Sequence, residues 1–198
     1  MSEILVNTIK KADGTGSITV PSETGTVLTS ASDLTGVTGV PNPLTSGTTV
    51  ASTSGTAIDF TGIPSWVKRI TVMFSAVSTN GATGVFLRLG TSGGFETTGY
   101  SWWTSTNGVS AAGNTTYFQP GIRNTAASGH YATAVLTLLD SATNLWVITQ
   151  MTTAGPDSAD VYSATGSKAL SSTLTQLRLG SINGTSTFDA GSINIMYE

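Results

Sequence analysis

Apolar and polar side chains alternate most densely over residues 59–77, whose sequence is DFTGIPSWVKRITVMFSAV. The apolar positions that share one parity are Trp66, Ile70, Val72, Phe74 and Ala76. Period-two alternation of β-branched and aromatic residues is typical of a strand with one buried face. We therefore predict a strand that turns the 66–76 parity toward the core and lets Lys68 reach out at the end of the sheet.

Shorter strand-like runs follow, separated by turns rich in Gly, Ser, Asn and Thr, and no window shows convincing helical periodicity. The runs are GVFLRLG, GGFETTGYSWW, TTYFQP, HYATAVLTLLD, LWVITQM, LTQLRLG and GSINIMYE. HYATAVLTLLD and LWVITQM are apolar on both parities, which predicts central strands that are covered on both sides. The pattern predicts an all-β fold, with an antiparallel, jelly-roll-like β-sandwich over residues 46–198.

One tetrapeptide, Leu-Arg-Leu-Gly, occurs at residues 87–90 and again at residues 177–180. The repeat predicts two paired strands that expose an arginine at equivalent places. The alternative is that both copies reflect strand composition alone.

Residues 1–45 contain only short strand-like pieces, ILVNTI, SITVP and TGTVLTS, followed by the Gly- and Pro-rich run DLTGVTGVPNPL. So little large apolar surface cannot offset the entropy of ordering this segment in a single copy. Two alternatives remain open: a disordered arm, or an ordered thread whose Ile and Val side chains pack against copies of themselves. In either case we predict an extended N-terminal arm that belongs to assembly.

Charged residues make up 10% of the chain, against about 25% in an average soluble domain, and the formal net charge is −3. No concentrated basic face is predicted, so we expect no nucleic-acid partner. The chain has no cysteine, which excludes disulfides, a thiolate zinc site and a cysteine nucleophile. The N-terminus lacks the order of a signal peptide and no apolar run reaches membrane-spanning length, so we expect a chain made in the cytoplasm without membrane insertion.

Candidate catalytic and metal-binding groups are few. His130 is the single histidine, and no G-x-S-x-G turn supplies a nucleophile for it, so we expect it to begin a strand. Asp157 and Asp160 are close in sequence, which suits either a weak calcium loop or a solvated turn. We predict no catalytic residue, no metal site and no cofactor. The two aspartates are the remaining support for glycosidase chemistry.

The aromatic cluster that begins at residue 100 is the most unusual local feature. Adjacent tryptophans in a strand point to opposite faces, so one of Trp102 and Trp103 should leave the core. An exposed ring can stack on a sugar while nearby amides bind the sugar hydroxyls; alternatively, the outward ring covers a subunit interface. The candidate glycan or receptor contacts are Tyr100, Trp102, Trp103, Asn107, Asn114 and Tyr117.

Three stretches resemble the tail-fibre and related virion surface proteins of tailed bacteriophages. They are ILVNTIKKADGTGSITVPS, AIDFTGIPSWVKRITVMFSAVSTNG and LRLGSINGTSTFDAGSINIMYE, while residues 95–130 match no motif. The resemblance implies a homotrimer in the virion whose residues 1–45 attach it to other tail or baseplate proteins and whose β-sandwich faces outward. It also implies recognition of the host surface, commonly of polysaccharide, without identifying a binding residue.

The sequence leaves three functions open. The first is a trimeric tail fibre that contacts a host glycan or receptor. The second is a capsid decoration or head fibre without a receptor, and the third is a small polysaccharide depolymerase. A Ser/Thr/Gly-rich surface and the lack of catalytic clusters favour a binding module. Several copies on one particle would multiply weak contacts, so a single copy would not need high affinity.

Overall fold

The computed structural model describes residues 18–19, 26–27, 44–121, 126, 129–155 and 160–198. The chain divides into two units, Met1–Pro43 and Leu44–Glu198. In the first unit, the described residues form one antiparallel pair, β1 (Ile18–Thr19) with β2 (Thr26–Val27). Most of the predicted 1–45 arm lies outside the described residues, so its order and its self-association stay predictions.

The second unit is built from strands, and its described residues contain no helix. The strands are β3 (Thr45–Ser46), β4 (Val50–Ala51), β5 (Ala57–Thr61), β6 (Arg69–Thr79), β7 (Val85–Thr91), β8 (Gly94–Phe95), β9 (Tyr100–Thr106), β10 (Val109–Asn114), β11 (Phe118–Gly121), β12 (His130–Asp140), β13 (Leu145–Ala154), β14 (Val161–Ala169), β15 (Gln176–Ser181) and β16 (Phe188–Tyr197). Every pairing among them is antiparallel. The predicted all-β, antiparallel fold is confirmed for this unit.

The strands form two sheets of unequal size. The large sheet has nine strands in the order β10-β9-β14-β13-β12-β6-β16-β3, with β4 also paired to β16. The small sheet has five strands in the order β11-β7-β15-β5, with β8 added to β7. Because β12, β13 and β14 follow one another in sequence and in space, the centre of the large sheet is a meander of hairpins.

One hydrophobic core joins the inward faces of the two sheets, as in a β-sandwich. The large sheet contributes fully buried side chains such as Ile70 and Leu136, and the small sheet contributes Leu87 and Leu177. Each aliphatic side chain of this kind stabilises the fold by about 1.5–3 kcal/mol relative to an exposed position. The alternation that predicted these inward faces therefore also supplies the main stabilising term.

The stretch 59–77 forms parts of two strands rather than one. β5 ends at Thr61 in the small sheet, and β6 begins at Arg69 in the large sheet. Gly62, whose φ is +73°, and Pro64 lie in the connection. The chain thus crosses from one sheet to the other at the turn residues, and Lys68 is exposed there as expected.

The predicted core parity of β6 holds for only part of the strand. Ile70, Val72 and Phe74 are buried, but Ala76 has a φ of +53° and lies at an irregular step in the pairing with β16. Val77 is fully buried instead. A bulge of this kind shifts the inward parity by one residue, which sequence alternation alone does not indicate.

The prediction that β12 and β13 are covered on both sides is wrong within a single chain. Their exposure alternates, and Tyr131, Leu139 and Met151 are 46%, 64% and 63% exposed. No strand or helix of the second unit's described residues lies over that face. The apolar side chains on the second parity are therefore surface residues of the large sheet.

The two copies of the tetrapeptide lie on paired strands, which is one of the two interpretations that the sequence left open. Arg88 on β7 lies opposite Arg178 on β15, and the flanking leucines pair as well. Phe86 lies over the glycine of the β15 copy, Gly180, since a Cβ there would be 2.6 Å from the phenyl ring. The Arg88 guanidinium in turn lies 4.4 Å from the centre of the Phe86 ring.

The other copy repeats this arrangement. Phe95 lies close to Gly90 of β7, where an added Cβ would be 2.9 Å from the ring, and the Arg178 guanidinium lies 4.2 Å from the centre of Phe95. Each glycine therefore leaves space for an aromatic ring, and an arginine guanidinium lies over each ring.

Candidate binding surface

Two of the six candidate contact residues are buried, and their prediction as surface contacts is corrected. Tyr100 is 3% exposed and Trp102 is 1% exposed. The Tyr100 hydroxyl accepts a hydrogen bond from the Leu89 amide at 2.9 Å and donates one to the carbonyl of Glu96 at 3.0 Å. Burial raises the pKa of Tyr100 to about 12. This tyrosine connects the two sheets and cannot reach a receptor.

Trp102 is held inward by its neighbours across the core and along the sheet. Its ring lies 5.4 Å from that of Phe118, which belongs to the small sheet. Gly166 lies opposite Trp102 on β14, and a Cβ at Gly166 would collide with the carbonyl oxygen of Ser101. The missing side chain allows β9 and β14 to approach closely, which fixes Trp102 in the core.

Asn107 holds a turn together. It has a φ of +49° between β9 and β10, its side-chain oxygen accepts a hydrogen bond from the Val161 amide, and its side-chain nitrogen donates one to Asp160, both at 2.9 Å. These bonds tie the β9–β10 turn to the start of β14. Asparagine suits this position because it tolerates the left-handed region.

The remaining polar and aromatic candidates lie apart from one another. Asn114 lies opposite Trp102 in the β10–β9 ladder. Tyr117 belongs to the small sheet's side of the unit, where its ring lies 5.7 Å from that of Phe86. The structure therefore does not bring the six residues together into one site.

Trp103 is the candidate that leaves the core, as the adjacency of the two tryptophans predicted. It is 60% exposed on the outer face of the large sheet, opposite Thr165 of β14 and Gly113 of β10. A Cβ at Gly113 would lie 3.4 Å from two indole atoms, so the ring rests on this glycine. One face of the indole is thereby supported while the side chain remains largely open to solvent.

An open groove of about 460 Å³ adjoins this tryptophan. Hydroxyl side chains line it together with the indole: Thr104, Ser105, Ser163 and Thr165. Hydroxyls both donate and accept hydrogen bonds, and the indole offers a flat apolar surface. We call this feature, with Trp103 at its edge, the Trp103 groove. Stacking on a ring-shaped, uncharged ligand with hydrogen bonds beside it is the chemistry that it can perform.

The Trp103 groove is part of a much larger uncharged face. Apart from Asp140 at the end of β12, every outward-pointing side chain of β9, β14, β13 and β12 is uncharged. The large apolar side chains exposed on these four strands are Trp103, Tyr131, Leu139, Met151 and Val161. The sequence did contain a signal for this face, namely the apolar residues on the second parity of β12 and β13.

The ion pairs in the described residues of the second unit lie outside the Trp103 groove. Arg178 forms a two-pronged ion pair with Asp59 on the small sheet, with distances of 2.7 and 2.6 Å, and the hydrogen bond to Asp59 raises the pKa of Arg178. The Lys168 ammonium, which is buried, pairs with Glu96 where the sheets meet. The Trp103 groove therefore lacks a cation that would select an acidic ligand.

Two of the groups considered for catalysis, His130 and Asp160, lie in the described residues. His130 begins β12, as expected, and is buried. Asp160 is engaged with Asn107, and Asp157 lies outside the described residues. Among the residues that the structure does describe, no three His, Cys, Asp or Glu side chains come together as metal ligands.

No helix in the described part of the chain is long and apolar enough to cross a membrane. Comparisons with protein-family models, with curated proteins and with solved structures found no match to this chain.

Proposed function

We propose that this chain is a virion protein of a tailed bacteriophage, a trimeric tail fibre whose second unit contacts the host cell surface. In this proposal, the first unit anchors the fibre to other tail or baseplate proteins. The second unit is the jelly-roll-like head, and its ligand is a surface glycan. The sequence resemblance and the surface chemistry of the second unit support the proposal together.

The observation that carries the binding function is Trp103 in its groove. The indole of Trp103 is 60% exposed. A partner that covers it removes this apolar surface from water, which stabilises the complex. The surrounding Ser and Thr hydroxyls suit the hydroxyl groups of a sugar. Because the groove has no charged lining residue, the ligand class that it fits best is a neutral saccharide.

An array of bacterial surface polysaccharides tests this function. The full chain, Trp103→Ala and Tyr117→Ala are compared at equal concentration, and Tyr117 is chosen because it lies on the small sheet's side. We expect the wild type to bind at least one neutral glycan and Trp103→Ala to lose about tenfold or more in affinity, as for an anchoring aromatic residue. Tyr117→Ala should bind as the wild type does.

Three results would redirect the proposal. Binding that depends on Tyr117 and not on Trp103 would place the ligand on the small sheet's side. An absence of binding to every glycan, in an assembled protein, would favour a capsid decoration or head fibre. Release of new sugar reducing ends by the wild type would instead favour the depolymerase, and loss of that activity in Asp160→Asn would assign it to this aspartate.

A further inference from the structure

The central strands of the large sheet present an apolar strip on the outer face, beside the Trp103 groove. We define the strip by the outward positions of β13, β12, β6 and β16. In one row across it, Thr133 lies between Met151 and Met73. In the next row, Val135 lies beside Thr71, which in turn lies beside Met196. Three methionines, which are adaptable side chains favoured at contact surfaces, thus share one strip.

The strip has the anatomy of an interface. Its centre is uncharged and mixes methionine and valine with threonine and Asn194, and it includes an open depression of about 420 Å³ lined by Tyr131, Thr133 and Met151 among others. Charges occur at its ends: Arg69 and Glu198 form an exposed ion pair at 3.2 Å at one end, and Asp189 is exposed near the start of β16 at the other. A centre that is depleted in charge and enriched in methionine, with a polar rim, is the arrangement found at specific protein–protein contacts.

The size of the strip fits a protein partner. Four strands spaced by about 4.8 Å and about nine residues of length cover roughly 600 Å² of flat surface. Two such surfaces bury about 1,200 Å² together, which is the lower end of the range for stable interfaces. A single exposed apolar side chain is ordinary at a protein surface, whereas an uncharged patch of this extent indicates a contact site.

We propose that this strip packs against the same strip of a second copy of the chain. The centre carries no charge, so two identical strips approach there without electrostatic repulsion. The threonine hydroxyls both donate and accept hydrogen bonds, so the threonines of two copies can pair with one another. A partner that differs from this chain would need complementary charge to be selected, and the strip offers charge only at its ends.

The proposed contact between strips does not depend on glycan binding. Two identical strips that pack face to face are related by a two-fold axis, whereas around a three-fold axis each strip meets the strips of two neighbouring copies, and both symmetries are closed. The Trp103 groove lies on β9 and β14, which are not among the strands of the strip. A failure of glycan binding therefore leaves this inference intact, and the reverse is also true.

Single-cysteine labelling of the full chain tests the contact, because the natural sequence has no cysteine. The probe position is Thr133→Cys in the strip, and the matched control is Thr61→Cys on β5. Both threonines are exposed in a single chain, so a monomer predicts similar rates of reaction with a maleimide. We expect the cysteine at 133 to react at least tenfold more slowly than the one at 61, in a sample whose scattering mass exceeds one chain.

Each other outcome overturns the inference. Equal labelling rates would show that the strip is open in the native protein. Slow labelling at 133 in a monomer would show that another part of the same chain covers the strip. Should Thr133→Cys prevent folding, Thr149→Cys on β13 provides the same comparison, since Thr149 is exposed and lies opposite Val135.

Discussion

The outer faces of the two sheets carry different chemistry, although both belong to antiparallel sheets around one core. On the small sheet, Asp59, Arg178 and Arg88 lie in one row across three strands, and the two arginines rest on aromatic rings. On the large sheet, the outward side chains of four adjacent strands are uncharged, apart from Asp140 at the end of β12, and include large apolar groups. A large uncharged face with exposed apolar groups is stabilised when a partner covers it. This contrast is the reason why we propose binding and assembly on the large sheet.

The two adjacent tryptophans give the largest expected contrast between core and outer face. Trp102→Ala should destabilise the second unit by about 3–5 kcal/mol, because it removes a fully buried ring and leaves a cavity. Trp103→Ala should change the free energy of unfolding by less than about 0.5 kcal/mol within one chain, since its indole is mostly exposed. Thermal unfolding of both variants at one protein concentration measures the difference. Equal losses would show that Trp103 is also a packing residue.

The buried ion pair between the sheets gives the next largest effect. The Glu96 carboxylate accepts hydrogen bonds at 2.7 Å from both the amide and the hydroxyl of Ser171, and it pairs with the buried Lys168. Glu96→Gln should cost about 3 kcal/mol, because it leaves the lysine charge buried without its partner. The control is Glu198→Gln, which removes an exposed ion pair and should cost less than about 1 kcal/mol. Urea unfolding compares the two, and similar costs would contradict the structural role of Glu96.

The same ion pair predicts a pH dependence. Burial acts to raise the pKa of Glu96, but the hydrogen bonds from Lys168 and Ser171 outweigh it and hold the pKa below its ordinary value of 4.5. A lowered pKa in the folded state contributes stability that is present above pH 4.5 and is lost as the pH falls through the folded-state pKa. The wild type should therefore lose more stability than Glu96→Gln as the pH falls below 4.5. Parallel pH profiles of unfolding would contradict this assignment.

The paired tetrapeptides predict a smaller effect on the small sheet. Gly180→Ala should cost about 1–3 kcal/mol, because the added Cβ would lie 2.6 Å from the Phe86 ring and force it to move. Gly93→Ala is the control, since its Cβ would have its nearest neighbour at 3.5 Å and its φ is not positive. Calorimetry of the two variants makes the comparison. An unchanged melting temperature in Gly180→Ala would mean that the ring moves without cost.

The smallest effect is expected at the exposed ion pair of the small sheet. Asp59→Asn should cost less than about 1 kcal/mol, because both partners are about a third exposed and solvent screens their attraction. The effect should shrink further at high salt. Chemical unfolding at low and high ionic strength tests this. A loss above about 2 kcal/mol would show that the Asp59–Arg178–Arg88 row holds the small sheet together.

The fold was largely predictable because burial follows side-chain alternation. Ile70, Val72 and Phe74 occupy the predicted face, and the two Leu-Arg-Leu-Gly copies lie on the paired strands β7 and β15, one of the two interpretations that the sequence left open. The bulge at Ala76 was not predictable, because its positive φ depends on the pairing with β16 rather than on local pattern. Likewise, nothing in the sequence distinguishes a strand covered on both sides from one whose apolar residues face solvent in a single copy.

The candidate site was predictable only in part. Adjacency of Trp102 and Trp103 required opposite directions, but the choice between them depends on distant residues. Gly166 and Phe118 select Trp102 for the core, and Gly113 supports Trp103 outside it. Asn107 and Tyr117 are near Trp103 in sequence, yet the turn and the change of sheet send them elsewhere. Proximity in sequence is a weak guide to a binding site when consecutive strands belong to different sheets.

The mass of the full chain in solution tests most directly the claim that the uncharged face is an association surface. Light scattering over a dilution series should give three times the 20.2 kDa mass of one chain for the wild type. Thr133→Lys, which places a charge in the strip, should dissociate at higher protein concentration than Thr61→Lys. A mass of two chains would keep the strip as the contact and contradict the trimer. A wild-type chain that stays at 20.2 kDa at every concentration would contradict the account.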